Sequence, residues 1–200
     1  MMMVRSCLAV VLIALLTSVA GCHRPAPPAA DGRPDFGGDF TLTDANGQTF
    51  ELSRLRGKVA LLFFGYTFCP DMCPMTMAHV LDVRKRLGPA GAEVVPVFIT
   101  LDPPRDTPPV VKAFVTHFGP DVIGLTGSPP DIARVARQYH VSYSVMDSDT
   151  KDTKNKQDYL INHTTAIFLI DRQGVLRNYV AYNEPTDRLT AAVQALLQNR

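Results

Sequence analysis

The hydrophobic pattern of the chain changes period repeatedly along its length. Residues 59–64 form an unbroken apolar run, as expected of a short central strand buried on both faces. Further apolar runs at 94–99, 122–125, 141–145 and 165–170 read as strands, and residues 75–87, 109–118 and 132–139 between them carry helical patterns. Upstream, residues 40–43 and 48–51 flank Asn46-Gly47, a strong short-range hairpin signal. Ser128 before Pro129 and Pro130 marks a helix start, with serine as cap and proline in the first turn. The chain closes with two strands across Asp171-Arg172-Gln173-Gly174 and a helix over residues 186–198.

Strands alternating with helices predict an α/β fold. The order is a strand, a cysteine-bearing loop that opens a helix, further α/β units, a closing hairpin and a terminal helix. That is the order of a thioredoxin-like fold, with an N-terminal β-hairpin extension and an inserted α/β unit. Residues 36–200 suffice for one such core and are too few for two comfortable ones.

The first residues stand apart from this pattern. Residues 1–21 have the layout of an export signal, with Arg5, an apolar run over 8–16 and then small residues. The run is shorter than the roughly 20 residues that span a bilayer, which disfavours a permanent anchor but leaves a short uncleaved one open. Val19-Ala20-Gly21-Cys22 resembles the lipobox of bacterial lipoproteins, which implies lipidation of Cys22 as the first mature residue. Residues 22–35, rich in proline and alanine, then form a semi-rigid tether. The expected location is the periplasmic face of a membrane, held there by the lipid anchor.

Charge says little about partners. Removing Arg5 leaves 19 basic against 19 acidic residues, and no glycine-rich phosphate loop or internal repeat is present. Lys151, Lys154 and Lys156 are interleaved with Asp147, Asp149, Asp152 and Asp158. They read as a solvated loop rather than a nucleic-acid stripe, so no nucleic-acid partner is expected.

The cysteines are more telling. Once Cys7 leaves with the signal and Cys22 carries lipid, Cys69 and Cys73 are the only thiols of the domain. In an oxidising compartment they are each other's only possible disulfide partners, when no metal holds them and the turn brings them close enough. They lie in Phe68-Cys69-Pro70-Asp71-Met72-Cys73-Pro74, where each cysteine precedes a proline and is pushed out of the α region. Both are therefore expected on a loop, with Cys73 as N-cap and Pro74 as first helical residue. A helix N-terminus favours thiolate over thiol.

Far downstream, His163 lies in Leu160-Ile161-Asn162-His163-Thr164. Two thiolates and an imidazole with no fourth protein ligand in evidence suit copper better than a closed zinc site. His79, His117 and His140 are equally available by composition. Position favours His163, which directly precedes the 165–170 strand on the loop that opposes the cysteines in thioredoxin-like folds; His79 reads as a surface or packing residue. Met72, Met75 and Met77 add thioethers nearby, although methionine commonly fills core gaps. Asp102, Arg105 and Asp106 form a charged turn expected to brace the site, and Thr107-Pro108 reads as a helix start.

The cysteine motif, Leu101-Asp102-Pro103-Pro104-Arg105-Asp106-Thr107-Pro108 and Asp158-Tyr159-Leu160-Ile161-Asn162-His163-Thr164, taken together and in this order, resemble the Sco (SenC/PrrC) family. The resemblance spans nearly the whole mature domain. It implies a thioredoxin-like protein that binds one copper ion through Cys69, Cys73 and His163, takes it from a periplasmic copper donor, and assists assembly of the Cu-A centre in cytochrome c oxidase subunit II. Asn162 stands where many members carry aspartate, and Pro104 where an acidic residue is common. A second reading is a thiol-disulfide oxidoreductase that keeps the Cu-A cysteines reduced. Against a general reductase stand the Cys-x3-Cys spacing, the absence of tryptophan before Cys69 and the absence of proline near His163. A peroxidase of the peroxiredoxin type ranks last, because Thr67 lies two residues before Cys69 where that pattern needs three.

Overall fold

In the computed structural model, which describes residues 34–146 and 159–198, the described residues form, besides two short 3-10 helices at Leu52–Leu55 and Gly88–Glu93, nine strands and four α-helices. They run β1 (Thr41–Asp44), β2 (Thr49–Glu51), β3 (Val59–Gly65), α1 (Met72–Arg86), β4 (Val94–Thr100), α2 (Pro108–Thr116), β5 (Ile123–Thr126), α3 (Pro129–Gln138), β6 (Tyr143–Met146), β7 (Leu160–His163), β8 (Ala166–Ile170), β9 (Leu176–Ala181) and α4 (Thr186–Gln198). Seven strands make one mixed sheet in the order β2-β1-β5-β4-β3-β8-β9, while β6 and β7 pair only with each other. The α/β, thioredoxin-like expectation holds. The N-terminal hairpin joins the sheet edge through antiparallel pairing of β1 with β5.

The period-2 geometry of β3 distributes the core. Ala60, Leu62 and Phe64 face one layer, with Ile132 and Val135 of α3, Tyr139 just after it, Leu42 of β1 and Phe40 just before it. Val59 and Leu61 face the other, with Val80 and Val83 of α1 and Leu189 and Val193 of α4. Phe63, at the C-terminal end of that face, joins Cys73 and Met77 of α1 and Val111 and Val115 of α2. The continuous apolar run is thus explained: both faces of β3 are covered, and each fully buried aliphatic or aromatic side chain contributes about 1.5–3 kcal/mol.

Local signals act as read from the sequence. Asp44 Oδ1 accepts the amides of Asn46 and Gln48 at 2.8 and 2.9 Å, and Gly47 takes a positive φ of 78° in that turn. Ser128 Oγ accepts the Asp131 amide at 3.3 Å and caps α3. The 141–145 run departs from expectation. Val141 is buried, but β6 begins at Tyr143 and all four of its residues are exposed, because its partner is the β7 ribbon and not the main sheet.

The signal segment 1–21, Cys7, Cys22, most of the tether, and the lysine–aspartate loop at 147–158 lie outside the described residues. Among the described residues no helix is long and apolar enough to cross a membrane.

Candidate metal and thiol site

The site lies where β3 hands the chain to α1. Gly65, the last residue of β3, approaches Cys73 so closely that a Cβ there would stand 2.7 Å from Cys73 Sγ. Beyond it, Thr67 is tied to Asp106 twice, through its amide at 2.9 Å and its hydroxyl at 2.5 Å. Thr100 also donates its hydroxyl to Asp106 at 2.5 Å. Asp106 is fully buried, and burial raises its pKa against the lowering effect of these bonds. The charged turn therefore clamps the cysteine loop to the end of β4, the bracing role expected of it.

Cys69 lies on the loop, half-buried, with its amide donating to Tyr66 O at 3.2 Å. Cys73 corrects the sequence reading. The N-cap of α1 is Asp71, so Cys73 lies inside the first helical turn and Pro74 one position beyond it. The first-turn amides have no intrahelical acceptor, so proline costs little there, and Cys73 is helical against the steric preference of a residue before proline. Asp71 makes no side-chain cap bond. Instead Cys69 Sγ accepts the Cys73 amide at 3.4 Å, so a sulfur caps the helix.

This arrangement separates the two thiols. The Cys73 thiol donates to Cys69, and the amides of Cys73, Asp71 and Met72 add to that effect. Together they outweigh burial and lower the Cys69 pKa to about 5. Cys73 is pushed the other way, first by donating that bond and then by its own complete burial. The activated sulfur is thus Cys69 alone, where the sequence reading expected the helix N-terminus to favour the thiolate without distinguishing the two. Both are free thiols.

His163 is the last residue of β7, in register with Tyr143, and not on a loop. Its Nδ1 donates to Thr164 O at 2.9 Å. A carbonyl only accepts, so Nδ1 carries the proton and Nε2 presents its lone pair. Nε2 faces Cys73 Sγ at 3.8 Å. The edges of Phe63 and Tyr66 hold the ring, at centroid distances of 6.2 and 6.0 Å. Asn162 is exposed and on the opposite face of β7, so its side chain is turned away from the imidazole.

The three expected ligands therefore occupy one neighbourhood, linked in series as Cys69, Cys73, His163. Among the described residues no three His, Cys, Asp or Glu side chains are already drawn around a single point. The donor set fits copper: two soft sulfurs, one of them favoured as thiolate, and an imidazole whose second nitrogen is anchored on a carbonyl, as metal-bound histidines usually are. His117 and His140 take no part. His117 Nδ1 bonds Ala113 O on its own helix at 2.7 Å, and His140 stacks on Phe36 at 4.2 Å.

Sequence reasoning missed three residues. Tyr66 is buried beside both sulfurs, and its pKa rises through burial and then through the neighbouring cysteines. Gly65, a lone glycine ending a bulky run, was the available signal of close approach. Tyr159 bonds Asp102 Oδ1 at 2.6 Å through its hydroxyl, and burial first and that bond second raise its pKa to about 12. Arg105 stacks on the Tyr159 ring at 3.6 Å and on Phe68 at 4.7 Å. It also pairs with Asp102 and donates to Tyr159 O at 3.0 Å. Arg105 thus joins the cysteine loop to the approach of β7.

Fold and site together define a thioredoxin-like domain with a dithiol at a helix start and a strand-borne histidine facing it. The chain belongs to the SCO1/SenC family, whose family model matches residues 28–198. It is 40% identical over 139 residues to the SCO2-like protein RP587 of Rickettsia prowazekii, covering 70% of this chain and 66% of that protein. Among solved structures, copper-bound ScoI of Bradyrhizobium japonicum matches with a TM-score of 0.70 at 34% identity, over 80% of this chain and 99% of that one. Copper-bound ScoI of Arabidopsis thaliana matches with a TM-score of 0.71 at 36% identity, over 82% and 99%.

Proposed function

We propose that this protein is a copper metallochaperone that holds one copper ion on Cys69, Cys73 and His163 and passes it to the Cu-A centre of cytochrome c oxidase subunit II. The observation that carries the reading is the His163 Nε2 lone pair aimed at Cys73 Sγ at 3.8 Å, with the same sulfur bonded to a Cys69 thiolate. Copper binding takes up the thiolate already present and displaces the one remaining thiol proton, so uptake releases a proton. Cys69, half-exposed on its loop, is the sulfur an acceptor thiolate reaches first. Export by residues 1–21, lipidation at Cys22, the tether 22–35, delivery from a periplasmic donor and residence of domain 36–200 on the periplasmic face belong to the same reading.

A second reading is favoured by the thiol pair alone. A thiolate nucleophile at Cys69 with a buried partner thiol at Cys73 is the arrangement of a dithiol reductant. In that reaction Cys69 attacks a client disulfide and the mixed disulfide forms. Cys73 then displaces the client thiolate, so the client gains two electrons and this protein is left with a Cys69–Cys73 disulfide.

The two readings part at His163. Cys69→Ala, Cys73→Ala and His163→Ala are each introduced into a strain lacking the protein, and oxidase Cu-A content is measured beside copper affinity of the purified full chain. Loss of both quantities in all three variants is expected. Normal Cu-A content in His163→Ala, with loss in either cysteine variant, overturns the chaperone reading in favour of the reductant.

A further inference from the structure

The thioethers of α1 do not share one fate. Met77 is 1% exposed and packs in the core, as methionine at helical spacing usually does. Met75, two residues earlier, is 59% exposed, and the core-filling explanation does not apply to it. Met75 and His79 stand four apart on α1, which makes them neighbours on one helical face. Met72, three residues before Met75, continues that face to the position next to Cys73.

His79 is oriented as His163 is. Its Nδ1 donates to a backbone carbonyl, Tyr182 O, at 2.9 Å, which leaves the lone pair on Nε2. That nitrogen is buried and has no hydrogen-bond partner, a cost a fold does not carry without reason. Met75 and His79 line the same groove of about 300 Å³, closed on its other side by residues 182–186. His117 also rests Nδ1 on a carbonyl, but on an exposed helix face with no thioether in the preceding turn, so the combination is specific to His79.

We infer that Met75 and His79 form a second soft-metal site, for copper(I), in the groove between α1 and the turn before α4. A thioether sulfur and a neutral imidazole select a soft monovalent ion over zinc or hard divalent cations. The carbonyl behind Nδ1 fixes the tautomer and the ring, as an outer partner of a metal-bound histidine does. Met72, the residue before Cys73, stands three positions before Met75 and adds a further thioether at that end of the helix. The site stands apart from the Cys69, Cys73 and His163 reading and does not require it.

The test uses the full chain, purified in mild detergent under anaerobic conditions and titrated with copper(I) against a chromogenic chelator. In a Cys69→Ala, Cys73→Ala, His163→Ala background, one copper(I) equivalent is expected to remain, and Met75→Leu or His79→Gln is expected to abolish it. Residual uptake unchanged by both substitutions overturns the site. The unsubstituted chain with 13C-methyl methionine gives an independent readout that no folding defect can mimic. A second equivalent of copper(I) shifts the Met75 methyl and leaves that of Met77 in place; a Met75 methyl that stays put overturns the proposal.

Discussion

The two sulfurs and the imidazole are held by different kinds of structure. Cys73 is sealed under the central strand, with Gly65 below it and Phe63 and Phe98 beside it. His163 ends a two-stranded ribbon outside the main sheet, whose β6 partner is exposed throughout. What holds the ribbon to the body is Ile161, buried beneath it, and the polar tie of Tyr159, Asp102 and Arg105. Core packing has one arrangement and resists change, whereas a peripheral ribbon can open at lower cost than the whole fold. On that difference Cys73 stands on the rigid side of the pair and His163 on the part of the fold expected to open first.

The largest effect is expected from Arg105→Ala. The Arg105 and Asp102 side chains are 6% and 2% exposed, and removing one partner of a buried ion pair costs about 3–5 kcal/mol. Denaturant unfolding should show that loss. Hydrogen exchange should quicken in β6 and β7, and copper affinity should fall while Cys69 alkylation keeps its rate. Equal damage to thiol reactivity would remove the distinction between the two sides. Gly65→Ala strikes the opposite side. The new methyl meets Cys73 Sγ at 2.7 Å and a Phe63 ring carbon at 2.9 Å, and such overpacking costs about 1–3 kcal/mol. Copper affinity should fall again, now with exchange in the ribbon unchanged. Faster exchange in β6 and β7 would show that the ribbon leans on Cys73 rather than on Arg105.

The same division explains what the sequence reveals. The apolar run at 59–64, the Asn46-Gly47 turn and the Ser128 cap work through near neighbours, so their signals are local and the fold follows from them. Both cysteines were legible because their prolines and spacing are contiguous. His163 was legible by its place before a strand, although the strand that carries it, β7, was read as loop. Four residues in a ribbon with one buried side chain, Ile161, leave almost no periodicity to detect. The start of α1 was misplaced for another reason. Asp71 stands at the N-cap but makes no side-chain cap bond, the Cys69 sulfur taking that place, while Pro74 two positions into the helix mimics a first helical residue. Arg105 and Tyr159 are 54 positions apart, and only the folded turn makes them one structure.

The narrowest comparison is between the two sulfurs themselves. In the unfolded chain both thiols titrate near about 8.5, while in the fold Cys69 is lowered to about 5 and Cys73 is raised. Between about pH 5 and 8.5 the folded, metal-free pair binds one proton fewer than the unfolded pair, so its contribution to stability rises with pH. Above about 8.5 the unfolded chain loses both protons while the fold keeps the one on Cys73, and the contribution declines. Stability from the pair therefore peaks near pH 8.5 and is lost as pH falls toward 5; Cys69→Ala should flatten the acid side of that profile. Alkylation of the reduced protein checks the assignment directly. Cys69 should be modified with a rate midpoint near pH 5 and Cys73 should stay protected, since its sulfur is both protonated and buried. A midpoint near 8.5 would remove the activation of Cys69, and labelling of Cys73 first would place it on Cys73; either makes the sulfur at the helix cap a packing contact only.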